Sequence, residues 1–185
     1  MVVIKTCSMK KSRLLLFLLV FVAFLSCNKN SESNSTQYGT KVNTWAFKEG
    51  SNQFSGTLLF DASLNTQLQS NNSYTFGILG TENNTGHIFN IVLSLLDLNF
   101  TEKNYQSGVG GNDYLNAFYY SESAASPDNI YESSNLDPGP VMNYTIMSYD
   151  ASKDIVTIAF SGKAQLANGN LVDITEGKVT AHIER

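Results

Sequence analysis

VMNYTIMSYDASKDIVTIAFSGKAQLANGNLVDITEGKVTAHI, residues 141–183, holds three runs in which β-branched, aromatic and aliphatic residues fall at alternate positions. A pleated chain sends successive side chains to opposite faces, so Val141 to Tyr149, Ile155 to Leu166 and Leu171 to Ile183 read as strands. Asp150-Ala151-Ser152-Lys153-Asp154 and Asn168-Gly169 separate them. Asn-Gly between alternating runs is a strong hairpin signal, since both central residues of a type I′ turn need positive φ. The expectation is a C-terminal meander with Ile158, Phe160, Val172, Ile174, Val179 and Ile183 feeding the core.

Upstream, the same alternation recurs from Lys41 onward. Val42, Trp45 and Phe47 open the domain, Phe54, Leu58 and Phe60 alternate with Ser55, Thr57 and Leu59, and Tyr74, Phe76 and Ile78 alternate with Thr75, Gly77 and Leu79. Glu49-Gly50-Ser51-Asn52 and Asn71-Asn72-Ser73 between them are turn chemistry. The segment from His87 to Phe100 could line a helix, but its leading β-branched residues favour a buried strand over Ile88 to Leu95. Leu115 to Tyr120 reads as a further strand. Tyr105 to Gly111 and Ser121 to Pro140 read as loop, with Pro127, Pro138, Gly139 and Pro140 as breakers. About eight strands and no convincing helix predict an all-β domain over residues 41–185, an antiparallel β-sandwich. A lipocalin-like closed β-barrel is the alternative, because Trp45 near the start of a meander suits one equally.

Ahead of the domain, Lys10, Lys11 and Arg13 precede twelve unbroken apolar residues, Leu14 to Leu25, and the run stops at Ser26-Cys27. A spanning helix needs roughly 20 apolar residues, so this is a secretory signal over residues 1–26. Leu25-Ser26-Cys27 resembles the lipobox of bacterial lipoproteins, in which the cysteine thiol receives a diacylglyceryl group before cleavage. Phe24 departs from the aliphatic residue usual there. Met9-Lys10-Lys11 is also a more usual start for such a signal than Met1. Residues 28–40 are rich in Asn, Ser and Thr and read as a tether, making residues 27–40 the link between lipid and domain.

Composition narrows the function classes. Of 12 basic and 16 acidic residues, Lys5, Lys10, Lys11 and Arg13 leave with the signal, so the mature chain carries a net charge near −8. That excludes the basic surfaces that nucleic acid requires. Cys7 also leaves and Cys27 is committed to lipid, so no disulfide is available.

The stretch from Tyr144 to Ile183, with its Tyr149-Asp150 turn, Phe160-Ser161-Gly162 and Ile174-Thr175-Glu176-Gly177-Lys178-Val179, resembles the C-terminal portion of small all-β lipoproteins of uncharacterised function from Bacteroidetes-type bacteria. The resemblance implies a β fold and an address in the cell envelope, lipid-anchored at the outer membrane. It implies nothing catalytic.

Chemistry-bearing residues are sparse. His87 and His182 are the only histidines, no Gly-x-Ser-x-Gly elbow occurs, and neither histidine has the spacing of a zinc site. Asp150-x-Ser152-x-Asp154 begins like an EF-hand loop, but Ile155 stands where glycine is required. No catalytic residue, metal site or cofactor is expected. Tyrosines gather instead around the long loops, and aromatic faces beside amides and carboxylates suit sugar rings. The candidate ligand-binding residues are Tyr105, Tyr114, Tyr119, Tyr131 and Asp113. Three roles follow: a glycan or protein-partner binder acting through loops 105–140, a structural envelope subunit joined by strand addition, or a carrier of an apolar ligand. Cys27→Ala should yield a protein without acyl chains, and intact-mass spectrometry of wild type recovering an unmodified Cys27 would refute the anchor.

Overall fold

A computed structural model describes residues 41–107, 115–122, 129–134 and 139–185. Eleven strands follow one another: β1 (Thr44–Glu49), β2 (Asn52–Leu58), β3 (Ala62–Leu64), β4 (Tyr74–Glu82), β5 (Ile88–Leu95), β6 (Asn104–Gln106), β7 (Ala117–Ser121), β8 (Asn129–Ser134), β9 (Met142–Asp150), β10 (Ile155–Gln165) and β11 (Leu171–Glu184). The domain is all-β, as the alternation predicts. Strand β5 has the expected bounds, and β9, β10 and β11 fall within a residue of theirs.

The architecture is the closed barrel rather than the sandwich. Eight strands pair in a ring, β1–β2–β4–β5–β7–β8–β10–β11 and back to β1, every neighbour antiparallel. The pairs that decide it are Gly56↔Glu82 to Leu58↔Gly80 between β2 and β4, and Gln165↔Glu132 between β10 and β8. Without these two, the strands would lie as an open sheet free to fold over on itself.

Four hairpins, β1–β2, β4–β5, β7–β8 and β10–β11, turn at one end of the barrel. The three links between them pass the other end, and each carries one extra strand, β3, β6 or β9. Strand β3 bridges β11 and β4 below the point where β2 stops, through Ile183↔Ala62 and Leu64↔Phe76. Strand β9 runs along β10 from Ile155 to Gly162, and β6 adds to β9 through Tyr105↔Tyr144. The wall therefore exchanges strands between its two ends.

Inside, alternation places Trp45, Phe47, Phe89, Phe118, Tyr120, Tyr131 and Phe160 in one buried cluster. Trp45 stacks on Phe89 at 4.4 Å, and Phe47 meets Phe118 edge-on at 5.5 Å. Such pairs contribute about 0.5–1.5 kcal/mol each beyond the burial of their area. The core expected from the meander is present, though Val172 is only partly buried. Phe60 departs from its pattern: β2 ends at Leu58, and Phe60 is 69% exposed.

Three further expectations change, the first at Tyr105, read as the start of a loop and found in the three-residue strand β6. Asn129–Ser134, read as loop, is β8, a strand too short and polar to register as a run. At Asn168-Gly169 only Gly169 has positive φ, 86°, with Gly169 N–H donating to Leu166 O at 2.8 Å. That geometry is a type I turn closed by a left-handed glycine rather than a type I′ turn.

Trp45 requires glycine beside it. A Cβ on Gly56 would meet Thr81 O at 1.8 Å and Trp45 Cε2 at 2.8 Å, and one on Gly80 would meet Trp45 Nε1 at 2.6 Å. Gly56→Ala should lower the urea midpoint, followed by Trp45 fluorescence, by the upper end of the roughly 1–3 kcal/mol that overpacking costs. Gly50→Ala, at φ 56° with open space around it, should cost only the left-handed backbone penalty of about 1–2 kcal/mol. Equal loss at both sites would contradict the slot around the indole.

Candidate functional site

The hairpin end of the barrel brings together groups far apart in the chain. Tyr120, inward on β7, sends its hydroxyl toward Glu82 at the end of β4 and His87 at the start of β5. Tyr120 Oη donates to Glu82 Oε2 at 3.0 Å and lies 2.9 Å from His87 Nδ1. A phenol has one hydrogen, and the carboxylate takes it, so Nδ1 must carry its own hydrogen and donate to Tyr120 Oη. Thr85 Oγ1 also donates to Glu82 Oε2, and accepts from His87 N–H at 3.1 Å. The hairpin turn is thus built from the same groups that hold the tyrosine.

Around this chain, Tyr120 stacks on Tyr131 at 5.7 Å and meets Phe54 edge-on at 5.4 Å. Burial, then the hydrogen bond to Glu82, pushes the Tyr120 phenol well above its ordinary pKa. Burial, then the charge of Glu49, does the same for Tyr131. Both phenols stay neutral donors at physiological pH. Glu49 accepts from Asn52 Nδ2 at 3.0 Å. Glu82 is half-buried, with its side chain 11% exposed against 28% for His87, so the imidazole is the more accessible polar edge.

Placement of the sequence candidates is mixed. Tyr131 lies 7% exposed inside the hairpin half of the barrel. Tyr105 lies 8% exposed on β6, on the flap that β9 carries, its pKa raised by burial and then by Asp97 and Glu102. Tyr119 is half-buried on the opposite face of β7, across from Asn90 and Glu132. These three do not form one surface. Tyr114 and Asp113 lie outside the described residues. Glu82 was not singled out in the sequence, although the turn Thr85-Gly86 beside His87 was a signal that a hairpin would bring it near.

The second histidine has a different setting. His182 Nδ1 lies 2.8 Å from Asp61 Oδ2, Asp61 Oδ1 accepts from Asn43 Nδ2 at 2.8 Å, and His182 N–H donates to Asn43 Oδ1 at 2.8 Å. These bonds fasten the first residues of the domain to its last strand, and no serine or threonine hydroxyl completes a nucleophile with His182 among the bonds of the described residues. In the Asp150–Asp154 turn, Asp150 Oδ1 accepts from Ser152 N–H at 3.0 Å, while Asp154 Oδ1 accepts from Tyr149 Oη at 2.7 Å and Arg185 Nε at 3.0 Å. Among the described residues no three metal-ligating side chains converge.

Comparison with known proteins yields no match: no family model, no curated protein and no solved structure is similar to the chain.

Hydrogen bonds from Asn43 and His182 hold the Asp61 carboxyl below its ordinary pKa. A depressed folded pKa contributes stability above the unfolded value, near 4, that is lost as pH falls through the folded one. Asp61→Asn should therefore lower the melting temperature at pH 7 and flatten its decline below about pH 4. An unaltered acid limb would mean that the Asp61 contacts do not persist in solution.

Proposed function

We propose that this is a lipid-anchored protein of the cell envelope whose barrel is a non-catalytic module binding a glycan at its hairpin end. The Tyr120–Glu82–His87 chain carries the reading. It fixes a carboxylate and an imidazole at the mouth of an aromatic-lined barrel, and hydroxyl-rich ligands are recognised by such polar edges beside rings. The chemistry offered is directional hydrogen bonding without a nucleophile.

The anchor reading rests on Leu14 to Cys27, and the polarity of the barrel supports it. Rings pack inside, while the outer wall carries ion pairs such as Lys48–Glu176 and Lys163–Asp173. A spanning barrel has the reverse arrangement, an apolar band outside and a polar lumen. Attachment would then come from acyl chains, each buried CH₂ contributing about 0.8 kcal/mol.

The other two roles have less behind them. A carrier of an apolar ligand needs interior space, and ring contacts run through the barrel from Trp45 to Phe160. Strand addition needs an open edge. The eight ring strands pair round the barrel, leaving β8 and β10 joined at one position, and β6 ends the sheet beside β9 with its Gln106 carbonyl accepting from Asn116 Nδ2 at 3.1 Å.

A thermal-shift screen of the mature protein against glycans and fatty acids tests this. A ligand at 100 times its dissociation constant stabilises by about 2.7 kcal/mol. The expected result is a glycan that raises the melting temperature and whose affinity falls tenfold or more in His87→Ala and Glu82→Gln. A fatty-acid response with no glycan response would replace this reading with the carrier, and a glycan response indifferent to both variants would move the site elsewhere.

A further inference from the structure

The flank of the barrel where β2 leaves the wall carries an apolar corner. Leu58 is the last residue of β2 and is level with Gly80 of β4. Beyond it, Leu59 N–H donates to Leu79 O at 2.9 Å, setting two outward leucines side by side. Leu59 is 45% exposed, Phe60 69% and Leu79 37%. Asn43 O accepts from Leu58 N–H at 2.9 Å, so Val42, 36% exposed, lies beside the same corner. Single exposed apolar residues are ordinary, but four gathered at one place with a phenylalanine foremost are not.

Val42 is also where the chain enters the domain. The segment from 28 to 40 is 13 residues, and a chain of that length reaches at most about 45 Å. With Cys27 acylated, the start of the domain is kept within that reach of the bilayer, and the corner beside Val42 with it. Tethering makes the contact intramolecular, so even weak docking is well populated.

Resting on the lipid-anchor reading above, we infer that Val42, Leu59, Phe60 and Leu79 dock the domain onto the bilayer that holds Cys27. The occupant is the membrane and not a second copy, because an acyl chain on Cys27, with 13 residues between it and Lys41, makes contact with its own bilayer intramolecular, whereas a second copy must be met at bulk concentration. In the chain Lys41 precedes Val42 and Asp61 follows Phe60, and Asp61 is engaged by Asn43 and His182. Insertion of Phe60 with flanking leucines at headgroup level is how interfacial segments bind.

Hydroxyl-radical footprinting of the acylated full chain in phosphatidylethanolamine–phosphatidylcholine vesicles, which carry no net charge, against unlipidated Cys27→Ala in buffer, tests this. Oxidation of Phe60 and Leu59 should fall threefold or more in vesicles, while the exposed Met147 and Leu171 stay unchanged. Acylated protein with Phe60 oxidised at the unlipidated rate overturns the docking alone. An unmodified Cys27 by mass spectrometry overturns the anchor and the docking with it. Protection of Phe60 in Cys27→Ala that grows with protein concentration assigns the corner to a second copy and overturns the membrane as occupant.

Discussion

The indole of Trp45 is clamped on every side that matters to closure. Gly56 of β2 and Gly80 of β4 give it backbone instead of side chains, and Phe89 of β5 stacks on its face at 4.4 Å. One residue of the first strand thereby fixes how β1, β2, β4 and β5 meet. The β2–β4 pairing, only three residues long, turns a sheet into a ring, and it occurs where those two glycines let the indole in. Among the described residues the indole Nε1 has no hydrogen-bond partner. An unpaired buried polar group costs about 1–3 kcal/mol, and the stacking and burial of Trp45 offset that.

The opposite wall closes by other means. Strands β8 and β10 share one ladder pair, and below it the gap is filled by serine and asparagine side chains. Ser107 Oγ and Ser133 Oγ lie 2.6 Å apart, Ser133 Oγ is 2.7 Å from Pro140 O, and Met142 N–H donates to Ser107 Oγ at 3.2 Å. Asn116 spans the next gap, accepting from Ser94 N–H on β5 at 3.0 Å and donating to Gln106 O on β6. Where strands diverge, their backbone groups need partners, and short hydroxyl and amide side chains supply them without demanding a register. This seam lets one chain carry eight strands at one end and a different set at the other.

These two devices mark the limit of what the sequence disclosed. Alternation is local, so β4, β5 and the last three strands were legible from residue types alone. Closure is not local: Gly56 meets Glu82, and Glu132 meets Gln165, through pairings that no window of sequence contains. That is why sandwich and barrel were equal on periodicity and why Asn129–Ser134 read as loop. Tyr105 and Tyr131 show the same limit from another side. Aromatic residues near glycine and proline breakers suggested a surface, but each falls on a short strand whose facing is set by a partner strand, and both turn into protein. Phe60 is the converse, apolar by pattern and outward by geometry, because β2 stops two residues before it.

The hairpin-end site and the outer apolar corner are linked through strand β4. Its inward residues Phe76, Ile78 and Gly80 serve the core, its terminal Glu82 takes the Tyr120 hydroxyl at the hairpin end, and its outward Leu79 pairs with Leu59 on the flank. A nine-residue strand with a period of two therefore serves core, mouth and outer corner at once. Because β4 is locked on both sides, by β2 and β3 on one edge and β5 along its length, the mouth and the corner are held on one rigid element. Orientation imposed at the flank is then imposed on the mouth. A domain docked through Leu59, Phe60 and Leu79, as inferred above, would hold Glu82 and His87 at a fixed angle to the bilayer.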